Sequence, residues 1–149
     1  MHPLDSQSTT QEEISGISVV HFDCGSCNGC DIEILATLTR TDDIKKLGIY
    51  RVGDPSKAMA LVATGPVNHR NKEVLKSIYE RMQEPKLVFA VGTCACTGGL
   101  FHNCANTLGG IDQVIPVDVY IPGCAVRPEQ IIHAITLAVK KLTQGSKPE

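Results

Sequence analysis

The chain has 149 residues, of which 42% are hydrophobic and 20% are charged, the proportions of an ordinary globular domain. Its formal net charge of −2 gives no electrostatic basis for binding nucleic acid or an anionic membrane, and no apolar run is long enough to cross a bilayer. Because the polar, acidic N-terminus lacks the apolar core of a signal peptide, we expect a cytoplasmic chain with one domain at 17–142 between tails at 1–16 and 143–149.

Hydrophobic periodicity predicts five elements in the first half of the chain. They are a buried strand at 17–22, a helix at 31–39, strands at 49–52 and 59–64, and a helix at 71–83. The first helix is indicated by Ile32, Leu35 and Leu38, whose spacing places them on one helical face. A loop rich in cysteine and glycine separates the first strand from this helix.

The second half continues the alternation of strands and helices. An almost uniformly apolar run at 86–93 is typical of a central parallel strand, and a second cysteine loop follows it at 94–110. A strand is predicted at 114–121, and Pro128 opens a last helix whose apolar stripe reaches Leu142. This alternation predicts an α/β fold: a flavodoxin-like, open and mostly parallel sheet of four to five strands with helices on both faces.

Seven cysteines are many for a chain in a reducing compartment, where thiols bind metal or do redox chemistry more often than they form disulfides. Cys27 and Cys30 follow the first predicted strand, and Cys94 and Cys124 each follow a later one. The carboxyl ends of parallel strands share one edge of a sheet, so these four thiols are predicted to converge there. Four thiolates suit a tetrahedral metal ion or a cubane iron–sulfur cluster.

The neighbours of these cysteines fit an anionic cluster. Glycine permits close backbone approach and N–H donation, and six glycines lie near the four thiols: Gly25, Gly29, Gly92, Gly98, Gly99 and Gly123. The N-terminus of the helix after Cys30 adds a favourable dipole that helps to keep its thiol ionised.

Spacing alone leaves other kinds of site open. Cys27 and Cys30 also fit a structural zinc knuckle or a thioredoxin-like dithiol, and inert buried thiols are a third interpretation. The dithiol interpretation gives Cys94 and Cys124 no role. Zinc sites usually join two C-x-x-C pairs, whereas here the second pair is two widely separated single cysteines.

Two of the candidate ligands have a rival. A C-x-x-C-x-x-C run is present, so Cys24 competes with Cys27, and Cys96 competes with Cys94 in the same way. Spacing does not choose between them, and it assigns no role to Cys104.

Four motifs occur in the order of a known family: GSCNGCDIE, TGPV, VGTCACTGG and VDVYIPGCAVRPE. They resemble, over about residues 17–142, the small subunit of [NiFe] hydrogenases and the related cluster-bearing 20 kDa subunit of respiratory complex I. The two-residue gap within the first motif and the lack of cysteines after the last are most similar to the small subunit of Ech-type, energy-converting membrane-bound hydrogenases. One departure is Ala125-Val126, which replaces the usual Pro-Pro after the last cysteine.

The resemblance implies one [4Fe–4S] cluster, held by the cysteines that match the family pattern: Cys27, Cys30, Cys94 and Cys124. The remaining cysteines match no family ligand: Cys24, Cys96 and Cys104. It further implies an electron-transfer subunit whose cluster lies proximal to the Ni–Fe centre of a large subunit, where H2 is activated. The other implied partners are a ferredoxin-like subunit with two clusters and integral membrane subunits that translocate ions, which would hold the chain on the cytoplasmic face of the cell membrane.

Charged residues and histidines near the cysteines are weaker candidates. Arg127 is a candidate for tuning the cluster or docking the large subunit, or else a surface residue paired with Glu129. Glu33 either faces the large subunit near a proton route or is a first-turn acid favoured by the helix dipole. His102 lies in the loop after Cys94, at the cluster rim or in solvent. The other histidines have no partner assignable from sequence: His21, His69 and His133.

Two further functions compete with a hydrogenase subunit. One is a complex I-like cluster subunit of a quinone- or ferredoxin-linked oxidoreductase, which a partner without nickel would identify. The other is a zinc-stabilised α/β interaction protein with no redox role, which zinc without sulfide would identify.

Overall fold

A single five-stranded sheet forms the centre of the protein. The computed structural model describes residues 16–143, and the predicted tails at 1–16 and 143–149 lie outside that range apart from Gly16 and Thr143. The strands are β1 Ile17–Asp23, β2 Ile49–Arg51, β3 Ala60–Thr64, β4 Leu87–Val91 and β5 Val119–Ile121. Their order is β2-β1-β3-β4-β5, and every neighbouring pair is parallel. This is the flavodoxin-like order, so the predicted fold class is confirmed.

Helices connect the strands across the sheet. They are α1 Gly29–Thr39, α2 Thr41–Lys46, α3 Lys72–Arg81, α4 Thr93–Thr97 and α5 Pro128–Thr143. Short 3-10 turns lie at Pro55–Lys57, Gly99–Phe101 and Ile111–Gln113. None of the helices within 16–143 is both long and apolar enough to cross a membrane.

A hydrophobic core lies on each face of the sheet. Successive side chains of a strand point to opposite faces, so adjacent apolar residues belong to different cores. Val19, Val62 and Phe89 pack on one face with residues of α1, α2 and α5. Val20 and Leu61 pack on the other with residues of α3 and α4. The near-continuous apolar runs of β3 and β4 follow from this burial on both sides.

The strand predicted at 114–121 is wrong in its first half, because β5 begins only at Val119. The backbone N–H of Val114 donates to the carbonyl of Ile111 at 3.0 Å, which closes a turn at this point. Pro116 then has no N–H to give to a strand ladder. Ile115 is nevertheless buried, so its apolar character reports core packing rather than a strand.

The loop predicted at 94–110 also needs correction, since α4 occupies its beginning. Gly92 precedes this helix with φ 95° and Gly98 follows it with φ 92°. These conformations favour glycine, and they let one short helical turn fit between β4 and the following loop. Cys94 is thereby carried in the first turn of a helix rather than in an irregular loop.

Candidate metal centre

Four thiols line one cavity of about 100 Å³ at the carboxyl edge of the sheet. They belong to Cys27, Cys30, Cys94 and Cys124, called here the cavity cysteines. The other lining residues are small or uncharged: Ser26, Gly29, Gly65, Val91, Thr93, Gly123 and Ala125. Cys27 and Cys124 are exposed whereas Cys30 and Cys94 are partly buried, so the cavity has an inner wall and an open side.

Three strand ends bring the cavity cysteines together. Cys30 lies in the first turn of α1, which follows β1, and Cys94 lies in the first turn of α4, which follows β4. The backbone N–H of Thr93 donates to the carbonyl of Gly123 at 3.0 Å. The N–H of Gly123 donates in return to Thr93 Oγ1 at 3.2 Å, which fixes the segment before Cys124 against the start of α4.

Two glycines near the cavity occupy positions where a side chain would come too close to a cysteine sulfur. A Cβ built on Gly92 would lie 2.6 Å from Cys30 Sγ, far inside contact distance. A Cβ on Gly99 would lie 3.1 Å from the Sγ of Cys94. The backbone therefore approaches these two sulfurs closely, which glycine permits because it has no Cβ.

The bare thiols of Cys30 and Cys94 have raised pKa values, which favour their neutral form. Burial raises the pKa of Cys30, and the nearby thiols of Cys27 and Cys124 add to the rise because thiolates repel one another. Burial likewise raises the pKa of Cys94, and its neighbours act in the same direction. A backbone hydrogen bond from Val126 opposes the shift at Cys30. Several thiolates can coexist here only around a cationic centre, which deprotonates the thiols that bind it.

The three other cysteines do not line this cavity. Cys24 is fully buried in the core beside α3 and α4, and burial raises the pKa of its thiol strongly. Cys96 is buried in the same core, where burial raises its pKa to about 11 and its thiol donates to the carbonyl of Ala90 at 3.6 Å. Cys104 is exposed. Cys24 and Cys96, which by spacing compete with Cys27 and Cys94 as ligands, therefore point away from the cavity.

A buried carboxylate beside the cavity was not anticipated from the sequence. Asp31 follows Cys30 directly and is only 7% exposed. Burial alone would raise the pKa of its carboxyl, but hydrogen bonds from Ser26, Thr64 and His21 outweigh burial and hold the pKa below its ordinary value. The available signal was a charged residue in the first turn of a helix that begins beside the sheet.

The other polar candidates lie outside the cavity lining. Glu33 is partly buried and Arg127 is exposed. Glu129 Oε1 accepts from Arg40 Nη1 at 3.0 Å. A backbone hydrogen bond and Arg40 lower the pKa of Glu129, and the charge of Arg127 adds a smaller contribution in the same direction. His102 Nδ1 lies 2.9 Å from the carbonyl of Gly99.

The remaining histidines have different surroundings. His69 Nε2 lies 3.2 Å from the carbonyl of Ala105, His133 is exposed, and His21 pairs with Asp31. As the side chains stand, no three or more Cys, His, Asp or Glu residues within 16–143 form a group that could hold a metal ion.

Known proteins resemble this chain in sequence and in structure. The model of the family described as NADH ubiquinone oxidoreductase, 20 Kd subunit, matches residues 27–138. The chain is 45% identical over 131 residues to the probable membrane-bound hydrogenase subunit mbhJ of Pyrococcus furiosus, which covers 88% of this chain and 78% of that protein. It is 42% identical over 116 residues to an NADH-quinone oxidoreductase subunit of Mycobacterium bovis, covering 77% of this chain and 62% of that protein.

A solved structure shares the fold. It is the structure of the membrane-bound sulfane sulfur reductase, an archaeal respiratory membrane complex, in which one chain superposes on this one with a TM-score of 0.75. The two are 30% identical, and the superposition covers 87% of this chain and 72% of that one.

Proposed function

Since residues 27–138 match its family model, the chain belongs to the family of the 20 kDa subunit of NADH ubiquinone oxidoreductase, and we propose that it is the electron-transfer small subunit of an Ech-type, energy-converting [NiFe] hydrogenase. Family membership confirms the resemblance predicted from the four motifs. The observation that carries the proposal is the convergence of the cavity cysteines, from three strand ends, on one cavity.

The residues of the cavity fit a [4Fe–4S] cluster. Among the described residues, the four thiols are the only ionisable side chains that line the cavity, and the other polar side chains there are the hydroxyls of Ser26 and Thr93. A cavity of about 100 Å³ exceeds the roughly 10–15 Å³ of cavity volume that one water needs, which favours a group of several atoms over a single ion. Such a cluster, when bound, takes up and releases one electron at a time. The proposed ligands are Cys27, Cys30, Cys94 and Cys124.

The chain's own residues would hold, shield and present this group. Cys30 and Cys94 form the partly buried wall, and the Val126 backbone hydrogen bond to Cys30 is one that stabilises negative charge on sulfur. On α1, two and five residues after Cys30, Ile32 and Leu35 have 64% and 44% of their surface exposed. Exposed apolar side chains next to a redox centre suit a partner subunit that covers it.

The proposed partners and location follow from the relatives rather than from the cavity. The large subunit would carry the Ni–Fe centre on the open side, and a ferredoxin-like subunit with two clusters would deliver or accept the electrons. Ion-translocating membrane subunits would anchor the complex, with this chain attached peripherally on the cytoplasmic face. The support is the relative whose name is membrane-bound hydrogenase subunit.

A complex I-like cluster subunit is the second candidate. The Mycobacterium bovis relative, which is named as an NADH-quinone oxidoreductase subunit, favours it at 42% identity. The same cavity would serve either function, and the two differ in the large subunit that faces it. The zinc alternative has weaker support. Thiolates hold Zn²⁺ at about 2.3 Å, so a single zinc ion needs no cavity of this volume.

Metal analysis of the anaerobically purified complex tests the proposal. We expect at least about four irons and about four labile sulfides for each copy of this chain, together with nickel in an accompanying large subunit. Zinc without iron or sulfide would refute the cluster and favour the interaction protein. Iron and sulfide in an intact complex that lacks nickel would refute the hydrogenase and favour the complex I-like candidate.

A further inference from the structure

The proposed function assigns no role to one buried charged side chain, that of Asp31. Asp31 lines no part of the cavity, yet it follows Cys30 directly and is 7% exposed. Carboxylates are almost never this buried unless they are paired, because leaving water costs an anion several kcal/mol. A first-turn acid also gains from the helix dipole when it lies at the surface, so the dipole alone does not require burial. Its burial therefore calls for a second role.

The Asp31 carboxylate joins three segments of the chain. Oδ1 accepts from His21 Nε2 of β1 at 2.6 Å and from Thr64 Oγ1 of β3 at 2.6 Å. Oδ2 accepts a short hydrogen bond from the Ser26 hydroxyl in the cysteine loop. Two strands of the sheet and the loop are thus tied to one side chain, next to a proposed ligand.

The loop between β1 and α1, which bears Cys27, is linked to the Asp31 carboxylate by further hydrogen bonds. Asp23 Oδ1 accepts from the backbone N–H groups of Gly25 at 2.8 Å and Ser26 at 2.6 Å. The N–H of Asn28 donates to Ser26 Oγ at 3.1 Å, so the same hydroxyl serves both Asn28 and Asp31. In the side-chain orientation that its surroundings favour, the Asn28 amide also donates to Asp31 Oδ2 at 3.2 Å. The segment around Cys27 is therefore held to the sheet through the carboxylate.

We propose that Asp31 is a positioning residue that fixes the loop bearing Cys27 against the first turn of α1, which bears Cys30, and that its buried negative charge favours the oxidised state of the cluster. This inference rests on the proposed function. Reduction adds an electron to a group beside this carboxylate, and a charge in protein acts more strongly than one in water. Nearby charge is one of the means by which a protein sets a cluster potential.

Two substitutions separate the hydrogen bonds from the charge. In Asp31→Asn the carbonyl oxygen can still accept from His21 and Thr64, and the amide can donate to the Ser26 hydroxyl. The charge is lost, together with only the hydrogen bond that Oδ2 accepts from the Asn28 amide. In Asp31→Ala both are lost. Asp42→Asn is the matched control, because Asp42 is an exposed acid on α2 outside the cavity and its replacement removes the same charge.

The experiment is an EPR-monitored redox titration of the anaerobically purified complex, with hydrogen exchange of the amides at 25–30. We expect Asp31→Asn to keep the cluster signal and shift its midpoint potential upwards, while Asp42→Asn leaves the potential unchanged. In Asp31→Ala the loop amides should exchange at least about tenfold faster, since charge-assisted hydrogen bonds are lost. In Asp31→Asn they should exchange as in the wild type.

Each possible failure has a distinct meaning. An unchanged potential in Asp31→Asn would overturn the role of the charge, and unchanged loop exchange in Asp31→Ala would overturn the positioning role. Loss of the cluster in Asp31→Asn would contradict the claim that neutral hydrogen bonds are enough to position the loop. If the wild-type complex gave no cluster signal at all, the proposed function would fail instead.

Discussion

Single Cys→Ser replacement at any of the four cavity cysteines is expected to remove or alter one cluster signal in the EPR spectrum of the reduced complex. Iron and labile sulfide should fall by up to about four each per copy of the chain. A serine oxygen is a harder and shorter-reaching ligand than a thiolate, so it fits an iron–sulfur cluster poorly. The effect should be of the same kind at all four positions, since the thiols line one cavity.

The other cysteines supply matched controls. Cys104→Ser changes an exposed thiol, and Cys24→Ala and Cys96→Ala change buried ones without placing a hydroxyl in an apolar core. We expect all three variants to keep the signal and the iron. A lost signal in Cys24→Ala beside an intact one in Cys27→Ser would overturn the proposed ligand set.

Hydrogenase kinetics should show where the electron path is cut. Exchange between H2 and D2O takes place at the Ni–Fe centre and requires no electron to leave it. A Cys30→Ser complex that still binds nickel is therefore expected to retain exchange while it loses H2 oxidation coupled to ferredoxin. Loss of both reactions in a complex of normal nickel content would show that this chain does more than conduct electrons.

The strands and helices that were predicted well from sequence are those whose burial produces a clear pattern of apolar residues. β4 lies between two strands with helices on both sides, and its five residues are all buried, so an unbroken apolar run indicated it. The stripe of α5 arises because one side packs on the sheet. In contrast, α2 and α4 have six and five residues, too few for a helical repeat to show.

The cavity was predictable in outline because it depends on topology. Once the strands are parallel, any cysteine just past a strand end lies at the same edge, and this placed Cys94 near Cys124 without further information. Spacing did not distinguish Cys27 from Cys24 as a candidate ligand, because it does not show which side of the loop each thiol faces. The family pattern favoured Cys27. Asp31, on α1, was missed for a related reason: its partners lie on two strands and on the loop before the helix.

Replacing Gly92 with Ala is expected to damage the cluster site without touching a ligand. Gly92 has φ 95° and ψ 157°, where a residue with a Cβ is strained by roughly 1–3 kcal/mol, and that Cβ would lie 2.6 Å from Cys30 Sγ. Because real Cβ atoms essentially never come so near, Cys30 or the start of α4 must shift. The predicted result is a complex with depleted iron and sulfide and an altered EPR signal.

Gly53→Ala is the control for this substitution, because no atom lies within 4 Å of a Cβ built on Gly53 and its φ is outside the left-handed region. That variant should keep the full iron content and the wild-type spectrum, and the smaller freedom of its unfolded chain should leave stability equal or slightly higher. A Gly92→Ala complex with full iron and an unchanged spectrum would mean that Cys30 Sγ does not occupy this position in the loaded protein. Cys30 would then have to bind the cluster from elsewhere or not at all, and the inner wall of the cavity would need another ligand.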